Sequence, residues 1–251
     1  MKDETGNKLK GLMDKAVAEK ELAGGCLLVR CHGEECCYLE AGMADVEEGK
    51  PIERDQIYRL YSMSKPVTGA AAMKLFEEGA LDLGQPVSAY LPSFQDSLVE
   101  QDGRLVKADR QIQVQDLLNM TSGLVYNGDA GLPGRHADAV FGELMERLWT
   151  DHPMTTRELA VRLGEGPLLF QPGSSWKYGS SADVLGAVIE AASGMSFGAY
   201  LEKNFFEPLG MKDTGFFVPE EKRDRLATVY QADGNGGLVA YLAVSYTHLR
   251  A

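Results

Sequence analysis

The sequence predicts a mixed fold, α+β or α/β in class, in which a sheet domain carries a large inserted helical region. Three observations lead there. The chain opens with an amphipathic helical pattern followed by a hairpin signal. Beyond residue 80 the recurrent pattern is helical. The 251 residues, 44% hydrophobic and 25% charged, suffice for one large or two ordinary domains with a sizeable core.

The elements follow in chain order. Leu9, Leu12, Met13, Ala16 and Val17 recur at helical spacing and define a first helix. Gly24-Gly25 ends it. Cys26–Cys31 and Cys36–Ala41 read as two β-type runs joined by His32-Gly33-Glu34-Glu35, and Gly42–Arg54 as a polar connection. Gln56–Tyr61 is rich in β-formers. Pro66 suits a first helical turn, Val67, Ala70, Ala71 and Leu75 give the apolar face, and Gly79 suits the position just past the end. Residues 81–92 are turn-rich. Helices are then expected over Val114–Met120, Ala137–Trp149, a run capped by Thr155 with Glu158 and reaching Leu163, Ala182–Ser193 stopped by Gly194, and Phe197–Phe206 ended before Pro208.

The chemistry concentrates in Ser62-Met63-Ser64-Lys65, at the predicted start of a helix. Residues three apart share a helix face, so Ser62 and Lys65 point the same way, at the end where unpaired backbone N–H groups carry partial positive charge. A serine hydroxyl is a weak nucleophile alone, and a neutral lysine amine beside it can take its proton. The spacing recurs at Ser174-Ser175-Trp176-Lys177, but there a Gln171-Pro172-Gly173 turn precedes it and no apolar helical run follows at once. Tyr178, next to Lys177 and just before the Ala182 helix, is a second proton-handling candidate, since a tyrosine beside an ammonium can be held partly ionised. Gly194-Met195-Ser196-Phe197-Gly198 fits the G-x-S-x-G nucleophile elbow, which requires a strand before it; here a helix precedes, and Ser196 reads as an N-cap. His32, His136, His152 and His248 all lie away from a recognisable nucleophile, and chemistry on Ser, Lys and Tyr needs none of them.

Composition narrows the classes. A formal net charge of −12 with no Lys/Arg cluster argues against nucleic-acid and anionic-membrane partners. No apolar run approaches the roughly 18 residues of a membrane span, and the N-terminus lacks an apolar signal core, which leads to an expected cytoplasmic location. Cys26, Cys31, Cys36 and Cys37 do not form CxxC pairs, so they are read as reduced cysteines of the hairpin rather than as metal ligands. No cofactor and no metal are expected. The oligomeric state is left open.

Several segments, in order, resemble one family. Tyr58–Pro66 resembles the first motif of the penicillin-recognising serine hydrolases, and more narrowly that of class C β-lactamases and family VIII carboxylesterases. Leu81–Pro92 is similar to the segment after the first helix. Asp116–Leu124 is similar to the L-L-x-H-T-S-G-L signature, with Met120 where histidine is usual. Tyr178-Gly179-Ser180 matches Y-x-N or Y-x-S, and its serine fits the esterase branch better. Glu207–Thr214 also resembles the family. The resemblance implies a β-lactamase-like fold, an antiparallel sheet domain with a large helical insertion, and acyl transfer on a small-molecule ester or amide. Ser62 would be the nucleophile, Lys65 and Tyr178 would manage protons, and Ser180 and Tyr126 would contact substrate. Carboxylester hydrolysis on short-chain esters is the expected activity. A D-alanyl-peptide hydrolase or β-lactamase is the alternative within enzymes, and a non-catalytic binding protein or inactive fragment the alternative from another class.

The resemblance also implies a missing part. One oxyanion donor would be the Ser62 backbone N–H, and the other belongs to a strand after a K-T-G or H-x-G triplet that this sequence lacks. The sheet is therefore expected to be incomplete through C-terminal truncation, and the chain by itself inactive or nearly so. Residues 1–243 are read as one partial domain. Within it, 1–60 form the helix and hairpin of the sheet domain, 61–215 the mainly helical region with the motifs, and 216–243 the start of a return to the sheet. Residues 244–251 break the family pattern and are read as a non-native tail.

Overall fold

The computed structural model describes residues 3–241, which fall into two compact units, residues 3–59 with 218–241 and residues 60–217. In the first unit, helix α1 (Asp3–Ala18) packs on a hairpin of β1 (Gly24–Cys31) and β2 (Glu34–Asp45). The strands are antiparallel, with Gly24 opposite Gly42 and Cys31 opposite Glu34. They are longer than the periodicity indicates, and the turn is the two residues His32 and Gly33, at φ +53° and +83°. Positive φ at both positions matches the twist of a tight hairpin, which a glycine makes cheap. All four cysteines are free thiols.

Two expectations for this unit change. The polar connection after Gly42 contains the end of β2 and a short strand β3 (Lys50–Pro51), so the sheet has the order β1-β2-β3. Gln56–Tyr61, expected to be strand-like, contributes only a parallel bridge between Ile57 and Leu226. There Ile57 N–H donates to the Arg225 carbonyl at 2.7 Å and Ala227 N–H to the Ile57 carbonyl at 2.9 Å. Ala227 joins Ala44 and Ile52 in a small core. A second antiparallel hairpin pairs Tyr230–Ala232 with Leu238–Ala240. Residues 244–251, read as a foreign tail, lie outside the described residues.

The second unit is built around helices. Helix α2 (Lys65–Glu77) ends where Gly79 takes φ +71°. A hairpin of β4 (Leu98–Gln101) and β5 (Arg104–Lys107) follows. The helical pattern did not anticipate it, although Asp102-Gly103 is a hairpin turn pair, here at φ +51° and +73°. Then come α3 (Val114–Leu118), α4 (Gly131–Arg147), α5 (Thr156–Gly164), α6 (Ser181–Ser193) and α7 (Phe197–Leu201), the last continuing as a π-turn through Phe206. Helix α4 starts six residues earlier than its apolar spacing suggests.

Local caps set several of these ends. Thr155 Oγ1 accepts the Glu158 N–H at 3.1 Å, but the Glu158 carboxylate turns to Arg147, so only half of the expected capping box forms. Gly194 closes α6 in the left-handed conformation, and Ser196 Oγ accepts the Ala199 N–H at 3.3 Å at the start of α7. The G-x-S-x-G serine is thus a helix cap that follows a helix.

Helix α6 is the hub, packed by α2, α3, α5 and α7. Its Val184, Leu185, Val188 and Ile189 are buried against Ala71, Ala72 and Leu75 of α2, Leu117 of α3 and Leu159 of α5 in one core. Each valine, leucine or isoleucine among them contributes about 1.5–3 kcal/mol on leaving water. That burial holds the first turn of α2, which follows Ser62, and the first turn of α6, which follows Tyr178, in fixed relation. Among the described residues no single helix is long and apolar enough to cross a membrane.

Candidate active site

Ser62 lies in a 3₁₀ turn, Tyr61–Ser64, that runs directly into α2. In such a turn residues i and i+3 eclipse, so Lys65, the first residue of α2, stands over Ser62. Lys65 Nζ donates to Ser62 Oγ at 3.1 Å. Tyr61, immediately before the serine, has φ +46°, a left-handed conformation that costs a non-glycine residue about 1–3 kcal/mol. Ser62, the residue that follows it, is exposed.

Tyr178 comes from a segment that lies on the loop after α3. Lys177 N–H donates to the Met120 carbonyl at 3.0 Å, Ser180 Oγ to the Val125 carbonyl at 3.0 Å, and the Ser122 and Ser181 hydroxyls meet at 2.8 Å. Between these ties Gly179 presses on the loop, and a Cβ there would stand 2.2 Å from the Leu124 carbonyl oxygen. Only glycine allows that approach. Met120, in the place of the usual histidine, has φ +58°. The loop is anchored in turn by Asp116, whose carboxylate takes two contacts from Arg110 at 2.6 and 2.9 Å and further hydrogen bonds from the Gln113 N–H and the Thr121 hydroxyl. Burial pushes the Asp116 carboxyl up, but Arg110 and the Gln113 N–H outweigh it and hold the group below the ordinary carboxylate value.

The result is a convergence across 116 residues of chain: Tyr178 Oη lies 2.6 Å from Ser62 Oγ. Lys65 Nζ stands 4.8 Å from the Tyr178 ring centroid. The Lys65 ammonium first, and the Ser62 hydroxyl second, hold the Tyr178 phenol below the ordinary tyrosine value, against burial and the Asp183 charge. A phenol in its neutral form donates to Ser62; ionised, the same short contact accepts the serine proton.

The other two expected site residues part company. Tyr126 lines the cavity beside Ser62, with its ring centroid 5.9 Å from that of Tyr178 and 5.7 Å from Lys65 Nζ. Ser180 is buried and its hydroxyl is committed to Val125, so it does not reach the cavity. Its side chain braces the loop under Tyr178, because the hydrogen-bonding capacity of a buried hydroxyl has to be met locally.

The cavity has a volume of about 410 Å³, within the range of small-molecule sites. Phe141, Phe197 and Phe216 give it apolar walls and Gly186 leaves room between them. Asp183, in the first turn of α6, is a cavity residue that no sequence signal singled out; it accepts the Tyr126 hydroxyl at 3.0 Å. Burial pushes its carboxyl up, opposed by Tyr126 and Lys65. The aromatic walls also went unread, because nothing local separates a cavity phenylalanine from a core one. Among the described residues no group of three or more His, Cys, Asp or Glu side chains could hold a metal ion.

Comparison with known proteins gives consistent matches. The family model described as Beta-lactamase matches residues 9–248. Esterase EstB of Burkholderia gladioli is 34% identical over 221 residues, which cover 86% of this chain and 53% of that protein. The solved structure of EstCE1, a hydrolase with promiscuous acyltransferase activity, aligns with a TM-score of 0.76 at 31% identity, covering 94% of this chain and 58% of that one. Unliganded simvastatin synthase (LovD) from Aspergillus terreus aligns with a TM-score of 0.78 at 25% identity, covering 95% and 60%. The chain spans about half the length of the curated relatives it matches.

Proposed function

Because the chain belongs to the beta-lactamase family of serine hydrolases and carries that fold, we propose that it acts on carboxylic esters through an acyl-enzyme on Ser62. The observation that carries this reading is the pair of short contacts on one serine oxygen, 2.6 Å from Tyr178 and 3.1 Å from Lys65. The steps follow from that geometry. Tyr178, ionised beside the Lys65 ammonium, takes the Ser62 proton as Oγ attacks the ester carbonyl, in place of the neutral Lys65 amine that the sequence suggested for this step. The tetrahedral oxyanion forms against the Ser62 backbone N–H. Tyr178 then returns the proton to the departing alkoxide, so the alcohol leaves neutral and the acyl group stays on Ser62. Water repeats the sequence, giving its proton to Tyr178 and releasing the acid.

Two further features support esters over amides or lactams. Ser180 stands where asparagine is common, and its hydroxyl faces Val125, so no side-chain amide is offered to a substrate amide. The cavity is mainly apolar, which suits an alkyl or aryl ester limb. EstB is named an esterase and is among the more similar relatives.

The test is covalent labelling followed by substrate comparison. A fluorophosphonate probe is expected to label the whole protein at Ser62, and labelling should vanish in Ser62→Ala. The rate should rise with pH through the depressed Tyr178 value, because the base is the ionised form, and that rise should be absent in Tyr178→Phe. The whole protein is expected to hydrolyse p-nitrophenyl butyrate and leave nitrocefin largely intact. No label on Ser62 of the whole protein would leave a binding protein as the reading. Nitrocefin turnover above ester turnover would make it a β-lactamase.

A further inference from the structure

The strongest unassigned group is Asp183, a carboxylate set in a largely apolar cavity and given no role by the steps above. We infer that Asp183 is a positioning residue for Lys65: by accepting the Tyr126 hydroxyl it fixes the aromatic ring on which the Lys65 ammonium rests, and so holds that ammonium against Tyr178 and Ser62. The inference rests on the serine-hydrolase reading and adds a residue to it.

The geometry is a relay of contacts. Tyr126 Oη donates to Asp183 Oδ2 at 3.0 Å. At its other end the Tyr126 backbone N–H donates to Asp129 Oδ2 at 3.3 Å, and Asp129 is itself held by Lys177 Nζ at 2.6 Å. The ring is therefore tied at its hydroxyl and at its backbone. Lys65 Nζ lies 5.7 Å from the centre of that ring and 4.8 Å from the centre of the Tyr178 ring. The two rings are 5.9 Å apart and tilted by 54°, so the ammonium is shared between two aromatic faces. A cation over a tyrosine face is attracted by the ring quadrupole, and a carboxylate drawing on the hydroxyl makes the ring more electron-rich. Lysine has four rotatable side-chain bonds and no fork to fix it, and beside its hydrogen-bond contacts with Ser62 and Tyr178 the Tyr126 ring limits where the ammonium can stand.

The surroundings give the inference a sign. Tyr178 is faced by Ser62 and Lys65 from the start of α2, by Tyr126 from the loop after Leu124, and by the charge of Asp183 from α6; the Lys177–Asp129 pair adjoins it in the chain. Lys65 is the largest influence lowering the Tyr178 phenol, whereas the Asp183 charge acting directly raises it. Loss of positioning and loss of charge therefore move Tyr178 in opposite directions.

The experiment is an ultraviolet phenolate titration of the chain, with Tyr178 assigned as the transition missing in Tyr178→Phe. Asp183→Ala and Tyr126→Phe are each expected to move the Tyr178 midpoint upward, toward the ordinary tyrosine value of about 10. The double variant should move it no further, because both changes break one linkage. Asp183→Asn keeps an acceptor oxygen for Tyr126 and should prevent the upward move. A downward shift in both Asp183→Ala and Asp183→Asn would make Asp183 a bystander charge and overturn the inference. So would a loss of thermal stability with an unmoved midpoint, or an upward shift in Asp183→Asn equal to that in Asp183→Ala. If Asp183→Ala does not fold, Tyr126→Phe, which keeps the ring, decides alone. The titration needs no turnover. A whole protein whose Ser62 resists fluorophosphonate would end the hydrolase reading and leave the Asp183 result standing by itself.

Discussion

Gly179→Ala offers the most direct perturbation of the site without touching a functional group. An added Cβ would lie 2.2 Å from the Leu124 carbonyl oxygen and 2.9 Å from both the Leu124 carbonyl carbon and Val125 Cα. These are backbone atoms, so no side chain can swing aside. A carbon and an oxygen approach to about 3.3 Å at closest, which requires the two segments to part by about 1 Å. Tyr178 is the adjacent residue and moves with its backbone. Its 2.6 Å contact with Ser62 then opens to a separation beyond hydrogen bonding. A misplacement of about 1 Å costs on the order of 10²-fold in rate, and overpacking of this kind about 1–3 kcal/mol in stability. The readout is the second-order rate of fluorophosphonate labelling near neutral pH, with a thermal melt on the same samples. A fall of about 10²-fold in a chain that still melts cooperatively is expected. Labelling at the unmodified rate would refute the claim that the close approach at Gly179 sets the position of Tyr178.

The other predictions use the same assays. Gly142→Ala sits in the exposed middle of α4, where a Cβ meets nothing, and should raise stability by about 1 kcal/mol while leaving labelling unchanged. Ser196→Ala should cost about 1 kcal/mol through loss of the α7 cap and leave Ser62 labelling intact; a loss of labelling there would restore the G-x-S-x-G serine as nucleophile. Asp116→Ala leaves Arg110 and the Gln113 N–H without their acceptor and should destabilise the protein by about 1–3 kcal/mol, measured by urea melts. The Asp116 carboxyl is held low when folded, so its contribution is fully present above the unfolded value of about 3.9 and fades as pH falls through the lower folded one. Melts between neutral and acid pH should show that slope, and Asp116→Asn should flatten it.

What the sequence by itself determined was local. Thr155, Ser196, Gly79 and Gly194 mark helix ends because a side-chain oxygen or a left-handed glycine satisfies backbone groups within a few residues. Ser62 and Lys65 could be paired from their spacing together with the helix start that follows, since a helical turn brings residues three apart together, and the ordered motifs identified the family. The hairpin at Asp102-Gly103 was equally local, but its four-residue strands are too short for their alternation to stand out.

The rest was decided by contacts between distant segments. Tyr178 reaches Ser62 only because the loop after α3 and the segment before α6 are zipped together by Met120, Ser122, Val125, Lys177, Ser180 and Ser181. The same zipper turns Ser180 inward, against the substrate-binding role the motif suggested. Asp183 acquires its place from Tyr126, 57 residues away, and the cavity acquires its walls from α4, α6 and α7. Hydrogen-bond satisfaction of buried groups and the volume left between packed helices are properties of the assembled core. No window of neighbouring residues contains them.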